Sequence, residues 1–234
     1  MNLPRALALA PVAFVMLGLG ISLYLMGQSQ ESSCNPWLTG CIGISELGVP
    51  DPISFVYRAG LLPGAMLLAF WWYAVRSWIA EVEPGVANDY SAWLTALGFT
   101  AAACLMIAVS VLRPEVDQLP WAVHCVFMAG FVVIQLYLQA RLVQRQWGWR
   151  RDGILNTVSL WLRAPLVVVQ LVLVAVLLIG WIAGTPELAK MAGWWLATLI
   201  MLFVLISYLD WGAYHLTLDD EPEADPVSAD QPTD

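Results

Sequence analysis

Six stretches of the chain are apolar almost without interruption. They run over residues 6–26, 53–75, 92–112, 119–140, 164–184 and 192–216. A spanning helix needs about 20 such residues, because hydrocarbon offers backbone N–H and C=O groups no partner outside the helix itself. The pattern therefore predicts an all-α integral membrane protein with six transmembrane helices. It also predicts two regions, a six-helix transmembrane domain over 1–217 and a tail over 218–234. The first stretch follows Arg5 much as the core of a secretory leader follows a basic residue. Its apolar run is too long for a leader and no small-x-small cleavage site follows it, so a retained helix is expected.

Composition agrees with the pattern: 60% of the 234 residues are hydrophobic, 12% are charged, and there are 13 tryptophans. With a mean hydropathy of +0.71, a soluble core could not hide that much apolar surface, whereas a bilayer solvates it. The net charge of −8 comes mainly from the end, where "LDDEPEADPVSADQPTD" holds seven acids and no base. Such a segment has too little apolar surface to fold and is expected to be a disordered cytoplasmic tail. The chain offers no basic surface for nucleic acid. It also has no HExxH pair, no four-helix carboxylate set and no phosphate-binding glycine loop, so neither a cofactor nor a metal is expected.

The basic residues between the apolar stretches set an orientation. Arg5, Arg76, Arg141, Arg145, Arg150, Arg151 and Arg163 fall on one side, and only Arg113 and Lys190 on the other, with Arg58 just inside the second span. The positive-inside rule then predicts both termini inside, with residues 28–52 exoplasmic or periplasmic, in a plasma membrane or a bacterial inner membrane. Trp71, Trp72, Trp78, Trp147, Trp149, Trp161, Trp194 and Trp195 lie near predicted span ends and read as an interfacial aromatic belt. Gly60, Pro63 and Gly64 are expected to loosen or kink the second helix. The small residues of "TAAAC", 100–104, suit a close helix contact.

Residues 32–59 interrupt this apolar chain with turn chemistry and charge. Cys34 and Cys41 flank Pro36 and Gly40 on the oxidising side, so a disulfide is expected there, with two free thiols as the alternative. Gly43 and Gly48 permit tight turns, and Pro50 and Pro52 lead into the second helix, where the first amides lack partners in any case. The expectation is a structured first exoplasmic loop that caps the outer mouth of the bundle. Cys104 and Cys125 fall within spans and read as small apolar residues.

Three segments resemble one family of six-helix membrane proteins. In "GISELGVPDPISFVYRAGLLPGAMLLAFWWYAV" the matching positions are Ile44, Ser45, Gly48, Pro50, Phe55, Tyr57 and Arg58. In "VHCVFMAGFVVIQLYL" His124 opens the fourth helix, and "SYLDWGAY" places Asp210, Trp211 and Gly212 at the inner end of the sixth. Together they are similar to the damage-regulated autophagy modulators (DRAM), the fungal Sfk proteins and the GPI-anchor lipid-remodelling factors. The resemblance implies a six-helix fold and work on or among membrane lipids, by organisation or scaffolding in two branches and by remodelling in the third.

Charged side chains within spans are costly and usually face a bundle interior or an aqueous cavity. Arg58, His124, Asp117, Ser45 and Glu46 all belong to the outer level and are the candidate ligand-binding set. Arg58 suits a phosphate through its two-pronged guanidinium, or else snorkels to the interface. His124 suits proton transfer with Glu46 or Asp117 orienting its ring, or else makes a structural hydrogen bond to a neighbouring helix. Glu46 also suits a turn cap. Asp210 lies at the inner end and is expected to pair with Arg141 or Arg163 as a structural ion pair. No nucleophile motif is present, so the catalytic residues are left open, and the lack of a nucleophile–base pair favours a non-enzymatic role over an enzyme.

Three functions follow from these residues. The first is a lipid-binding or lipid-organising protein with an outer-leaflet polar pocket, whose partner is a membrane lipid with an anionic headgroup. The second is a lipid-remodelling enzyme (acyl transfer or hydrolysis) or its accessory subunit. The third is a small-solute transporter, disfavoured because no acidic residue lies at mid-membrane depth. No feature of the sequence names a protein partner.

Overall fold

The computed structural model describes residues 3–30, 34–83, 88–112, 118–153 and 158–211. Six long helices account for most of it: α1 (Leu3–Gln30), α3 (Ile53–Val82), α4 (Asn88–Ser110), α5 (Gln118–Arg151), α6 (Val158–Ile182) and α7 (Pro186–Asp210). Between α1 and α3 lie the one-turn helix α2 (Pro36–Thr39) and a 3₁₀ turn over Ser45–Gly48. No strand occurs among the described residues. All six long helices are long and apolar enough to cross a membrane, as expected of a multi-pass membrane protein.

Every long helix extends beyond its apolar stretch at one end or both, and in α5, α6 and α7 a local reason is plain. Helix α5 continues well past residue 140 because Leu142, Gln146 and Trp149 lie on one face and are buried at 0%, 1% and 2% exposure. That i, i+4, i+7 spacing carries the helix on after uniform hydrophobicity has ended. Helix α6 begins at Val158, ahead of Pro165, and buries Ser159, Leu160 and Arg163 in its first two turns. Helix α7 begins at Pro186, where a first-turn proline has no amide to waste and Glu187 faces the positive end of the dipole. It ends at Asp210, and residues 212–216 of the expected sixth span lie outside the described residues, as does the tail 218–234.

The six long helices form a closed ring in chain order: α1 packs on α3, α3 on α4, α4 on α5, α5 on α6, α6 on α7, and α7 back on α1. At the α1–α3 contact two glycines face each other. A Cβ added at Gly60 would stand 2.5 Å from the Cα of Gly18, and one at Gly18 would stand 2.7 Å from the Cα of Gly60. The two backbones therefore touch, which only small residues permit. Helix α3 runs unbroken through Pro63 from Ile53 to Val82, so Gly60 serves close approach where a loosened helix was expected.

The tryptophans depart most from expectation. Trp71 and Trp72 are fully buried, Trp194 is 1% exposed and Trp149 2%, so these are core residues and no part of a belt. Trp71 packs edge-on to Trp72 at 4.6 Å and reaches Phe203 and Trp211 of the α7 end at 6.5 and 6.3 Å, filling the ring's interior. Buried indoles need an acceptor, as Trp72, Trp149 and Trp194 show. Trp72 donates to Gln135 Oε1 at 3.1 Å, Trp149 to Glu83 Oε2 at 2.6 Å, and Trp194 to the Ile42 carbonyl at 2.8 Å. Trp147, Trp161 and Trp195 do remain exposed.

Replacing Gly60 by valine is expected to destabilise the bundle by about 1–3 kcal/mol or more, since overpacked backbones cannot yield as a side chain can. A Cβ at Gly20 of the same α1 helix meets nothing within 4 Å, and Gly20→Ala is expected to cost nothing. Thermal unfolding followed by tryptophan fluorescence checks both; equal midpoints for Gly60→Val and the parent protein would refute the close crossing.

Candidate functional site

The site starts from a helix terminus. The last carbonyls of an α-helix lack intrahelical partners and carry the negative end of its dipole. One such carbonyl of α4, and a second just past its end, are met by ring or cationic N–H donors from neighbouring helices. His124, in the second turn of α5, places Nδ1 2.8 Å from the Ala108 carbonyl. Arg58, in the second turn of α3, donates through Nη2 to the Leu112 carbonyl just past the end of α4. Both residues thus do for α4 what water does for a helix end in solution.

The anchored histidine then reaches the loop. A carbonyl oxygen can only accept, so Nδ1 of His124 carries a proton, and the other ring nitrogen of the neutral imidazole is a lone-pair acceptor. Ser45 Oγ lies 2.7 Å from that nitrogen, Nε2, and donates to it when the ring is neutral. Trp121, 43% exposed, stacks on the ring at 5.3 Å with planes 24° apart. The histidine itself is 2% exposed and Ser45 is half-buried. Serine, histidine and an orienting acceptor therefore form one hydrogen-bonded series across the loop, α5 and α4.

The loop is pressed into place from several sides. Cys34 and Cys41 form a disulfide with Cα atoms 6.4 Å apart. Trp37 Nε1 donates to Thr198 Oγ1 at 3.0 Å, and Trp195 Nε1 returns a bond to the Trp37 carbonyl at 3.0 Å, so α2 rides on α7. Gly48 closes the 3₁₀ turn against α3 and the α4 end: a Cβ there would stand 2.8 Å from both the Tyr57 ring and Leu112 Cδ1. This contact sets Ser45, three residues earlier, at the height of His124.

Of the expected ligand-binding set, Ser45, His124 and Arg58 come together at the end of α4. Glu46 does not orient the histidine. Its Oε2 accepts the Gly43 N–H at 2.9 Å and its Oε1 pairs with Lys190 at 2.7 Å, tying the turn to α7. Asp117 lies outside the described residues, as does Arg113. The orienting role falls to the Ala108 carbonyl, a backbone atom that no motif could reveal. The Ser45–His124 pair spans 79 positions, and its only trace in the sequence is the similar depth of the two residues.

The opposite end of the bundle holds a separate polar set. Arg163 and Asp210 form an ion pair at 2.7 Å with side-chain exposures of 1% and 4%, so of the two expected partners the aspartate takes Arg163. Arg163 also donates to Ser207 Oγ at 2.6 Å and lies 5.2 Å over the Phe203 ring. Beside it, Glu83 pairs with Arg145 at 2.6 Å on a cleft of about 290 Å³ that Arg141 and Asp152 also line. The first set ties α6 to α7, and the second ties the end of α3 to α5. Among the described residues no cluster of three or more His, Cys, Asp or Glu could hold a metal ion.

Set against family models, curated proteins and solved structures, the chain finds no match in any of the three comparisons.

Removing one member of a buried ion pair strands the other charge, at a cost of about 3–5 kcal/mol, whereas an apolar pair of similar volume is often tolerated. Asp210→Ala is therefore expected to lower the unfolding midpoint severely, and the double change Arg163→Met with Asp210→Leu to recover most of it. A single variant as stable as the parent would contradict the pairing. Separately, Cys34 and Cys41 are expected to resist alkylation until reduced; labelling of both in the unreduced native protein would contradict the disulfide.

Proposed function

We propose that this multi-pass membrane protein binds a lipid at the cap-bearing end, with Ser45, backed by the buried His124, contacting the polar part of the lipid. The observation that supports this most is the 2.7 Å Ser45–His124 pair lying directly beneath a solvent- or lipid-exposed Trp121. Leu38, Phe55 and Leu119 at the same end are 70%, 63% and 75% exposed, an apolar surround suited to acyl chains. His124 lies five residues beyond Leu119, about 7–8 Å along the helix. Arg58 adds a cation at the same level, which suits an anionic headgroup above the ester.

The orientation belongs to this reading. The arginine-rich α5 end (Arg141, Arg145, Arg150 and Arg151) faces the cytoplasm and residues 28–52 face outward, so the bound lipid belongs to the outer leaflet. The resemblance to the DRAM, Sfk and GPI-anchor remodelling proteins supports the same class of partner.

Two measurements test this. A cysteine at Asp152, whose side chain is 56% exposed, is expected to react only with membrane-permeant reagent in intact cells. One at the exposed Glu187 is expected to react with impermeant reagent as well, and the reverse pattern would overturn the orientation. Mass spectrometry of lipids retained by the detergent-purified protein is expected to show one class enriched over the membrane average. Ser45→Val and Trp121→Ala are expected to reduce that enrichment severalfold while leaving thermal unfolding close to that of the parent. Retained lipids that mirror the bulk membrane would contradict specific binding.

A further inference from the structure

We propose that Ser45 is a nucleophile, activated by His124, that takes an acyl group from an ester of the bound lipid. This rests on the lipid-binding reading above and adds chemistry to it. A serine hydroxyl is a poor nucleophile unless a base within about 2.6–3.2 Å removes its proton as it attacks, and a third group must hold that base in the right tautomer. All three parts are present. Ser45 Oγ is 2.7 Å from His124 Nε2, and Nδ1 is held 2.8 Å from the Ala108 carbonyl. The ring cannot rotate away, because Trp121 stacks on one face and the side chain is 2% exposed. The arrangement is the nucleophile–base–orienter geometry of serine hydrolases, with a backbone carbonyl where those enzymes often use a carboxylate.

A structural latch accounts for less of this. A latch needs only that Ser45 meet any buried acceptor. Here the serine sits on a turn held in place by the Gly48 contact and the Glu46 bonds. It remains half-buried rather than sealed, and its partner is the one side chain whose free ring nitrogen can exchange protons near neutral pH. Arg58, held at the Leu112 carbonyl just past the end of α4, is the cation at this end of the bundle for an oxygen that becomes negative.

The reaction balances without an oxidant or a metal. Ser45 Oγ bonds to the ester carbonyl carbon as its proton passes to Nε2. The tetrahedral intermediate collapses by breaking the bond between the carbonyl carbon and the alkoxy oxygen. The leaving alkoxide takes the proton from Nε2 and departs as the deacylated lipid. A water molecule, or a hydroxyl of a second lipid, then attacks the acyl-serine. Its proton passes through Nε2 back to Ser45 Oγ, releasing a fatty acid or a newly acylated lipid.

The test uses the full-length protein in phosphatidylcholine nanodiscs and a long-chain alkyl fluorophosphonate, which forms an Oγ–P bond with loss of fluoride. Intact-mass analysis with peptide mapping is expected to find one adduct, at Ser45. Labelling is expected to fall at least tenfold in His124→Gln and to persist in Ser54→Ala, a serine at the same end that bonds to Asp51. Should His124→Gln fail to fold, Ser45→Cys serves instead: its thiol is expected to alkylate at least tenfold faster than a cysteine placed at the exposed Thr39. A folded parent protein that forms no adduct at Ser45, or a Ser45→Cys thiol no faster than the one at 39, overturns the nucleophile. If an enriched lipid still co-purifies in that case, the binding reading stands without the chemistry; bulk-like lipid with an adduct at Ser45 would instead remove the binding reading.

Discussion

A helix that ends within reach of hydrocarbon leaves carbonyls that nothing but protein can satisfy. At the end of α4 that requirement is met by His124 at Ala108 and by Arg58 at Leu112. The consequences run outward from those two bonds. The histidine is drawn into the bundle with one tautomer imposed on it, which leaves Nε2 as an acceptor facing the loop. The loop answers with Ser45, and the disulfide, the Gly48 contact and the Glu46–Lys190 pair keep it there. Helix capping and the candidate site are thus one piece of chemistry.

Packing elsewhere serves the same end. The backbone contact between Gly18 and Gly60 brings α1 against α3, and the tryptophan-filled interior fixes α3 against α5 and α7. Helix α3 is the helix that carries Arg58, so its position decides whether the α4 end can be capped. The buried Arg163–Asp210 pair closes the other end of the ring between α6 and α7. Such a pair is weak evidence for stability, because desolvation offsets much of its attraction, but its geometry specifies which helix turns must meet.

The six spans were legible because hydrophobic length is a one-dimensional property. So were the disulfide, from two cysteines flanking turn residues, and the partnership of Asp210 with an arginine near the same end. What escaped were features set by direction around a helix and by backbone atoms. Uniformly apolar helices show little difference between core and lipid faces, so nothing local distinguishes the buried Trp71 and Trp72 from belt residues. Gly60 read as a loosening residue because a close neighbour 42 positions away in the chain, Gly18, has no local signature. Ser45 and His124 belong to one expected outer pocket, yet their direct hydrogen bond has no sequence signal, since it depends on a carbonyl that any residue at position 108 would have supplied.

The chemistry assigned to the cap-bearing end depends on one protonation pattern. The protein has only two histidines, His124 and His215, so ¹⁵N NMR of the histidine-labelled protein in nanodiscs, with a His215→Gln sample for assignment, reads that pattern directly. The account predicts a neutral His124 ring protonated at Nδ1, with Nε2 an unprotonated acceptor whose signal moves when Ser45 is replaced by alanine. A ring protonated at Nε2, or one indifferent to Ser45→Ala, would contradict the account: His124 would then have no lone pair facing the loop, and the pair would be no more than a contact.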